Sequence, residues 1–269
     1  MKKFAVFGNP IDHSLSPYIH SKFSQQTGIN IDYKAIKILV EEFEPRVRSF
    51  FSAGGSGLNI TIPHKRAAWL LADTKEASAE VSQTANTLYC HNHNINAANT
   101  DGAGIIKDIC HNLNWQLKSA SLALLGAGGA ARSILPALAS EGVERIILAN
   151  RTPQKARQLV EDLSHLPLSY CDLDQLQHQD YTILINATSV GLTGEIDFNP
   201  AMIHPGLYCY DMVYKIETPT AFIEWAELNG AFAVADGLGM LVEQAALSYK
   251  IWHGVIPDTA ELIKELRRY

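Results

Sequence analysis

The chain is 269 residues long, 47% of them hydrophobic, with a formal net charge of −6 at pH 7. That length allows one large or two ordinary domains, and that charge excludes a surface that gathers nucleic acid by bulk attraction, while leaving room for a local basic pocket. No apolar stretch approaches the ~18–20 residues that span a bilayer, and the four cysteines, Cys90, Cys110, Cys171 and Cys209, form no CxxC, which points to a reduced cytoplasmic protein without a structural metal.

The start, Met1 to Gly8, has too short an apolar run for a signal peptide and reads as a strand over 4–7 ending in a turn. A helix is predicted over 17–26, with Ser16 as N-cap and Pro17 at the first helical position. A strand follows over 31–38. A helix over 41–51 carries Phe43, Val47, Phe50 and Phe51 on one side. Strands are expected over 57–62, stopped by Pro63, and over 85–90. His91 and His93 flank Asn92 in a polar stretch that reads as an exposed hairpin turn rather than a metal site. A helix over 103–113 leads into a strand over 120–125, a glycine-rich turn, a helix over 130–140 and a strand over 145–149. Further strands are expected over 181–186, 207–211 and 231–235, then a long amphipathic helix over 238–253 opened by Asp236-Gly237. This alternation argues for an α/β fold of two domains. The first would be an α/β substrate domain over 1–101, completed by C-terminal helices over 237–269 that pack back on it. The second would be a Rossmann-type domain over 102–236.

The glycine-rich turn is Gly126-Ala127-Gly128-Gly129-Ala130-Ala131. In a strand–turn–helix, the first glycine permits the tight turn and the second lets backbone approach a pyrophosphate. The small sixth residue lets helix and strand pack closely. The anion would sit on the free N–H groups at the helix N-terminus. An NAD site would want an acid at the end of the next strand. That place holds Asn150-Arg151-Thr152, with Lys155 just beyond, so the cofactor read from the residues is NADP(H).

Four polar constellations lie outside this unit: Ser14-Leu15-Ser16-Pro17, Asn59-Ile60-Thr61-Ile62-Pro63-His64-Lys65, Ala85-Asn86-Thr87 and Asn99-Thr100-Asp101-Gly102. Their hydroxyls, amides, one ammonium and one carboxylate suit a small hydroxyl-rich acid better than a flat aromatic or a lipid. Each piece alone also has a structural reading. Ser14 and Ser16 could cap a helix, Asn86, Asn99 and Asp101 could be turn or cap residues, and Lys65 could be a surface lysine.

Read jointly, these motifs resemble those of shikimate dehydrogenases of the bacterial aromatic pathway, nearly end to end. The resemblance adds Gly8-Asn9-Pro10, Asn186-Ala187-Thr188-Ser189, Tyr210-Asp211-Met212-Val213-Tyr214 and the run from Asp236-Gly237-Leu238 to Gln244-Ala245-Ala246. It implies reversible NADPH-dependent reduction of 3-dehydroshikimate to shikimate, in chorismate and aromatic amino acid biosynthesis. By resemblance, Lys65 and Asp101 are the catalytic pair. Ser14, Ser16 and Tyr214 would hold the substrate carboxylate with Thr61 nearby, and Asn59, Asn86, Asp101 and Gln244 the ring hydroxyls. Thr188, Ser189, Met212 and Gly237 would line the nicotinamide end.

The expected partner is a small molecule, with no nucleic acid or membrane, in a monomer or homodimer. Departures from the family pattern are His64, where the family usually has Phe, Gln83-Thr84 before Ala85-Asn86-Thr87, Ala97-Ala98 before Asn99, and Lys155 in place of a second arginine. Alternative readings are a quinate/shikimate dehydrogenase using NAD, a silent NADP- or shikimate-binding regulatory module, and a folate-type dehydrogenase.

Overall fold

The structure, a computed structural model, describes residues 1–190 and 196–268. The chain divides into two compact units: Met1–Gly104 with Leu241–Glu265, and Ile105–Met240 with the last residues from Leu266. The sequence places its boundaries at the turns before residues 102 and 237. The observed divisions fall a few residues later, inside the helices that begin there.

The first unit is built on a six-stranded sheet of order β2-β1-β3-β5-β6-β4. Its strands are β1 (Lys2–Gly8), β2 (Ile31–Lys37), β3 (Gly55–Ile60), β4 (Thr74–Lys75), β5 (Thr87–His91) and β6 (Asn94–Ala98). β1 pairs in parallel with β2 and β3, while β5 runs antiparallel to both β3 and β6. The sheet is therefore mixed. β5 and β6 form a two-residue hairpin whose turn residues, Asn92 and His93, have φ of 50° and 66°. Positive φ at both places matches the twist of the flanking strands, so Asn92 and His93 make the turn and His91 ends β5.

Helices α1 (Ser16–Thr27), α2 (Phe43–Ser52), α3 (Lys65–Leu71) and α4 (Ala77–Ser82) are interleaved with these strands. Ser16 is the first helical residue rather than the N-cap. Leu15 occupies that place, and Ser14 Oγ accepts from the Ser16 N–H at 3.3 Å. The hydroxyl two residues upstream therefore does the capping, which leaves the Ser16 hydroxyl for other partners.

α5 (Asp101–Lys107) continues into a π turn over Asp108–Asn112. The second unit then follows with an all-parallel sheet of order β12-β11-β10-β7-β8-β9. Its strands are β7 (Ser121–Leu125), β8 (Arg145–Ala149), β9 (Leu168–Cys171), β10 (Ile183–Asn186), β11 (Tyr208–Asp211) and β12 (Ala233–Asp236). Helices are α6 (Gly129–Ser140), α7 (Pro153–Asp162) and α8 (Ala221–Leu228).

Both faces of this sheet are covered. Along β7, Leu122 and Leu124 belong to one core cluster, Ala123 and Leu125 to another. A strand buried on both faces reads as an unbroken apolar run. The strand order reverses between β7 and β10, and in such sheets ligand binds beyond the carboxyl ends of the strands at that point.

α9 (Leu238–His253) passes into the first unit at Leu241, and α10 (Ala260–Leu266) follows it. There the Trp252 ring lies 4.8 Å from that of Phe4, tilted by 33°, and donates to the Leu88 carbonyl. Gly57 and Gly104 make room: a Cβ would lie 2.5 Å from the Trp252 ring at Gly57, and 2.8 Å from Gln244 Cβ at Gly104.

Candidate active site

In the first unit, β3 and the turn after it deliver Lys65 to the start of α3. The loop after β6 delivers Asp101 to the start of α5. The Asp101 N–H donates to Asn99 Oδ1 at 3.0 Å, and Asn99 Nδ2 is held by Ser82 and Thr84 hydroxyls. Asn99 is thus the turn residue that sets Asp101. Lys65 Nζ lies 2.7 Å from Asp101 Oδ2, and the two side chains retain only 15% and 6% of their exposure. An ammonium has three hydrogens, so two on Lys65 remain beyond the one given to Asp101. At this depth the pair is screened far less than a surface ion pair.

The other Asp101 oxygen, Oδ1, accepts from Asn86 Nδ2 at 2.9 Å. That nitrogen also lies 2.8 Å from Thr100 Oγ1 and 3.0 Å from Gln244 Oε1. Two hydrogens face three acceptors. Gln244 Nε2 donates to the Leu241 carbonyl one turn back on α9. Asn59 is satisfied from behind: Nδ2 donates to Ser248 Oγ at 3.0 Å and to the Asn86 carbonyl at 3.2 Å, and Oδ1 accepts from Tyr33 at 2.7 Å. What Asn59 can still offer is one lone pair on Oδ1.

Ser14, Ser16 and Thr61 lie at the neighbouring carboxyl ends of β1 and β3. The Thr61 N–H donates to the Phe7 carbonyl, and a Cβ on Gly8 would fall 2.3 Å from Thr61 Cγ2. Tyr214, half-buried beyond β11, belongs to the second unit. His64, beside Lys65, is spent on structure: it is buried, stacks on Phe43 at 4.7 Å, and its Nε2 hydrogen-bonds the Ile38 carbonyl at 2.9 Å.

In the second unit the glycine turn lies at the switch point. Gly126 has φ of 109°, and a Cβ there would sit 3.1 Å from the Ala187 carbonyl, so neither conformation nor space admits a side chain. Gly128 and Gly129 differ. A Cβ at either would meet no atom of a described residue within 4 Å. No described residue packs there, and backbone is left open to an approaching ligand. Ala127 and Ala130 are partly buried alongside, while Ala131 is fully buried and lets α6 sit close to the sheet. Residues at the start of α6 present N–H groups that the helix itself cannot use.

At the end of β8, Asn150 Nδ2 donates to the Thr152 carbonyl and fixes the turn. Arg151 and Lys155 are exposed, and neither cation is held by a hydrogen bond or ion pair to a described residue. These features fit a dinucleotide carrying a 2′-phosphate: a backbone cradle for the pyrophosphate, and uncommitted cations where an NAD site would carry an acid.

Beyond β10 and β11, one buried carboxylate organises the loops. Asp211 accepts from Asn186 Nδ2 at 2.9 Å, the Val213 N–H at 3.0 Å and Thr220 Oγ1 at 2.5 Å. Burial pushes its pKa up to about 6 despite these donors. Asn186 Oδ1 in turn accepts from the Thr188 N–H and hydroxyl. Thr188 is therefore fixed, while Ser189 beside it is exposed. The Met212 N–H donates to the Asn186 carbonyl, and a Cβ on Gly237 would lie 2.4 Å from the Met212 carbonyl oxygen. The two anchors, Asn186 and Asp211, stand inside motifs quoted from the sequence, but no role is read from the sequence for either. Their signal is a polar residue ending an apolar strand.

Fold and site define a two-domain, dinucleotide-binding α/β protein of the oxidoreductase type. Family descriptions match at residues 6–88 (shikimate dehydrogenase substrate binding domain), 108–193 (shikimate / quinate 5-dehydrogenase) and 237–267 (shikimate 5'-dehydrogenase C-terminal domain). The chain is 45% identical over 267 residues to the shikimate dehydrogenase (NADP(+)) of Alkalilimnicola ehrlichii, covering 98% of each. It is 43% identical to that of Methylococcus capsulatus, covering 98% of this chain and 95% of the relative. The structure of shikimate 5-dehydrogenase from Thermus thermophilus in complex with NADP(H) and shikimate superposes with a TM-score of 0.88 at 31% identity, over 100% of this chain and 99% of that one. The chain belongs to the shikimate dehydrogenase family.

Proposed function

We propose that this protein catalyses the reversible NADPH-dependent reduction of 3-dehydroshikimate to shikimate. The observation that carries the reading is the Lys65–Asp101 pair, 2.7 Å apart and nearly excluded from solvent, with two ammonium hydrogens left over. When bound, NADP(H) supplies the hydride chemistry. The chain's part is to bind, orient and handle the proton. Reducing a carbonyl places negative charge on its oxygen. Lys65 stabilises that charge and gives up a proton to it, and in the reverse direction takes the proton from the hydroxyl. Asp101 holds the ammonium in place and accepts from the neighbouring ring hydroxyl. Gln244 offers its second Nε2 hydrogen to that hydroxyl set, Asn86 holds Asp101 and Gln244 around it, and Asn59 offers its remaining lone pair.

Ser14 and Ser16, with Thr61 beside them, receive the substrate carboxylate through hydroxyl donors. Gly126, Ala127, Gly128, Gly129 and Ala130 would cradle the pyrophosphate. Asn150, Arg151, Thr152 and Lys155 would hold the 2′-phosphate end. Thr188, Ser189, Met212 and Gly237 would border the nicotinamide.

The test is to follow nicotinamide absorbance with shikimate and NADP⁺ and to identify the product. Formation of 3-dehydroshikimate with one NADPH per turnover is expected, with the methyl ester of shikimate a much poorer substrate. No turnover would refute the reading, and an ester as good as the acid would refute the carboxylate site.

A further inference from the structure

Behind the Lys65–Asp101 pair runs a chain of buried hydroxyls and amides. Tyr33 donates to Asn59 Oδ1 at 2.7 Å. Asn59 Nδ2 donates to Ser248 Oγ at 3.0 Å. Ser248 and Thr87 hydroxyls lie 2.7 Å apart, and either could donate by distance alone. Thr87 donates to Asn86 Oδ1 at 2.9 Å, and the Ser248 hydroxyl beside it has the Gln244 carbonyl as a second acceptor at 3.1 Å. Asn86 Oδ1 also accepts the Thr100 N–H at 2.9 Å, which fixes the amide with its nitrogen toward Asp101. Asn86 Nδ2 then donates to Asp101 Oδ1 at 2.9 Å. In the chain Tyr33, Asn59, Ser248, Thr87, Asn86, Asp101, the steps from Thr87 to Asn86 and from Asn86 to Asp101 point their hydrogens toward the carboxylate. Hydrogen bonds aligned head to tail polarise one another in a low-dielectric interior. The chain joins β2, β3, α9, β5 and α5, all within the first unit.

Thr87, Asn86 and Ser248 are buried, with Thr87 and Ser248 fully so. A buried hydroxyl pair between a strand and a helix could equally be replaced by apolar atoms of the same shape if its only task were packing. Here the pair has a consequence at the site. Without the Thr87 hydrogen, Asn86 Oδ1 loses one of three donors, the others being the Thr100 N–H and hydroxyl, and the amide loses part of the preference that aims its nitrogen at Asp101. The alternative orientation would set an amide oxygen against a carboxylate.

We propose that Thr87 and Ser248 are positioning residues, which act through the Asn86 amide to hold Asp101, and with it Lys65, in register for proton transfer. This rests on the reading of Lys65 and Asp101 as the reacting pair.

The test uses the full chain and three variants: Thr87→Val, which replaces the hydroxyl by a methyl of similar shape, Thr87→Ser, which restores it, and Ser248→Ala. In shikimate oxidation, Thr87→Val and Ser248→Ala should lower kcat by about tenfold, the loss of one such hydrogen bond. KM for NADP⁺ should stay within about twofold, and Thr87→Ser should recover most of the wild-type kcat. Equal kcat in wild type and Thr87→Val would overturn the proposal. So would failure of Thr87→Ser to rescue, or parallel changes in kcat and the NADP⁺ constant. Loss of folding in both Thr87→Val and Ser248→Ala would overturn it as well, because the hydroxyls would then be holding the unit and not the pair. A wild type inactive on shikimate, or a Lys65→Ala variant of full activity, would instead fail the underlying reading.

Discussion

Around Lys65 and Asp101 the polar surface is made of side chains, each with a directional partner. Around Gly126 to Ala130 it is made of backbone and of space where a side chain is absent. The contrast teaches what each unit can lose. On the function proposed above, the first is damaged by deleting atoms, since its chemistry needs a proton and a charge at fixed points. On the same reading the second is damaged by adding atoms, since its cradle depends on close approach of main chain to an anion. Arg151 and Lys155 are exposed and held by no described residue, and in that reading they add affinity and selectivity rather than architecture.

The largest effect expected is on the deletion side. Lys65→Ala should cut turnover by about a hundredfold or more, with a smaller change in the shikimate constant, measured by initial rates. A loss below about tenfold would mean that the pair serves packing and not proton transfer.

Next comes a difference in response to acid. In the first unit, burial holds His20 down to about 3 and His253 down to about 4. Both titrate near 6.5 when unfolded, so as pH falls the unfolded chain gains protons first. The stability these two neutral rings permit is whole above about 6.5 and is lost progressively toward their folded values. In the second unit Asp211 is raised to about 6. There the folded state gains the proton first, and the contribution is present at low pH and lost as pH rises from about 4 through 6. Denaturation at pH 7.5 and 5, read by hydrogen exchange in each unit, should show acid weakening the first unit more. His20 accounts for about 2 kcal/mol at pH 5, and His20→Phe should flatten the slope. A slope unchanged by that variant would remove His20 from the account.

On the addition side, Gly128→Ala should raise the NADP⁺ dissociation constant about tenfold with little change in Tm, because the new methyl meets no described residue. A fall in Tm with unchanged binding would mean that the glycine serves the turn alone. The smallest effects belong to the cations. Arg151→Ala should weaken NADP⁺ about tenfold and NAD⁺ hardly at all, and Lys155→Ala by less than about threefold. Both losses should shrink with added salt. Equal weakening of both cofactors by Arg151→Ala would place the guanidinium elsewhere than on a 2′-phosphate.

The second unit is the more legible from sequence. A parallel sheet covered on both faces writes itself as apolar runs, and its turn is spelled by glycines, so β7, the turn, α6 and β8 can be read almost residue by residue. α9 is predicted over 238–253 and observed over the same residues. In the first unit the His91–His93 stretch is readable as a hairpin turn, but β6 and β4 are not anticipated. β6 is short and half polar, and β4 has two residues. Lys65 and Asp101 are legible as a pair through joint motifs and family resemblance alone, since neither stands out locally. Ser248 and Tyr33 are not legible at all. Their partners lie 189 and 26 residues away, and a hydroxyl on a helix or an edge strand carries no periodic signature. Ser16 looks like a cap from its place before Pro17, but the structure gives that task to the Ser14 hydroxyl.

The central claim, a side-chain proton site paired with a backbone cradle whose neighbouring cations select NADP, is tested most directly in the wild type by kcat/KM for shikimate oxidation with NADP⁺ and NAD⁺ side by side. Two charge-assisted hydrogen bonds to the 2′-phosphate predict a preference for NADP⁺ on the order of a hundredfold. Equal values would contradict the account and favour a quinate/shikimate dehydrogenase that uses NAD.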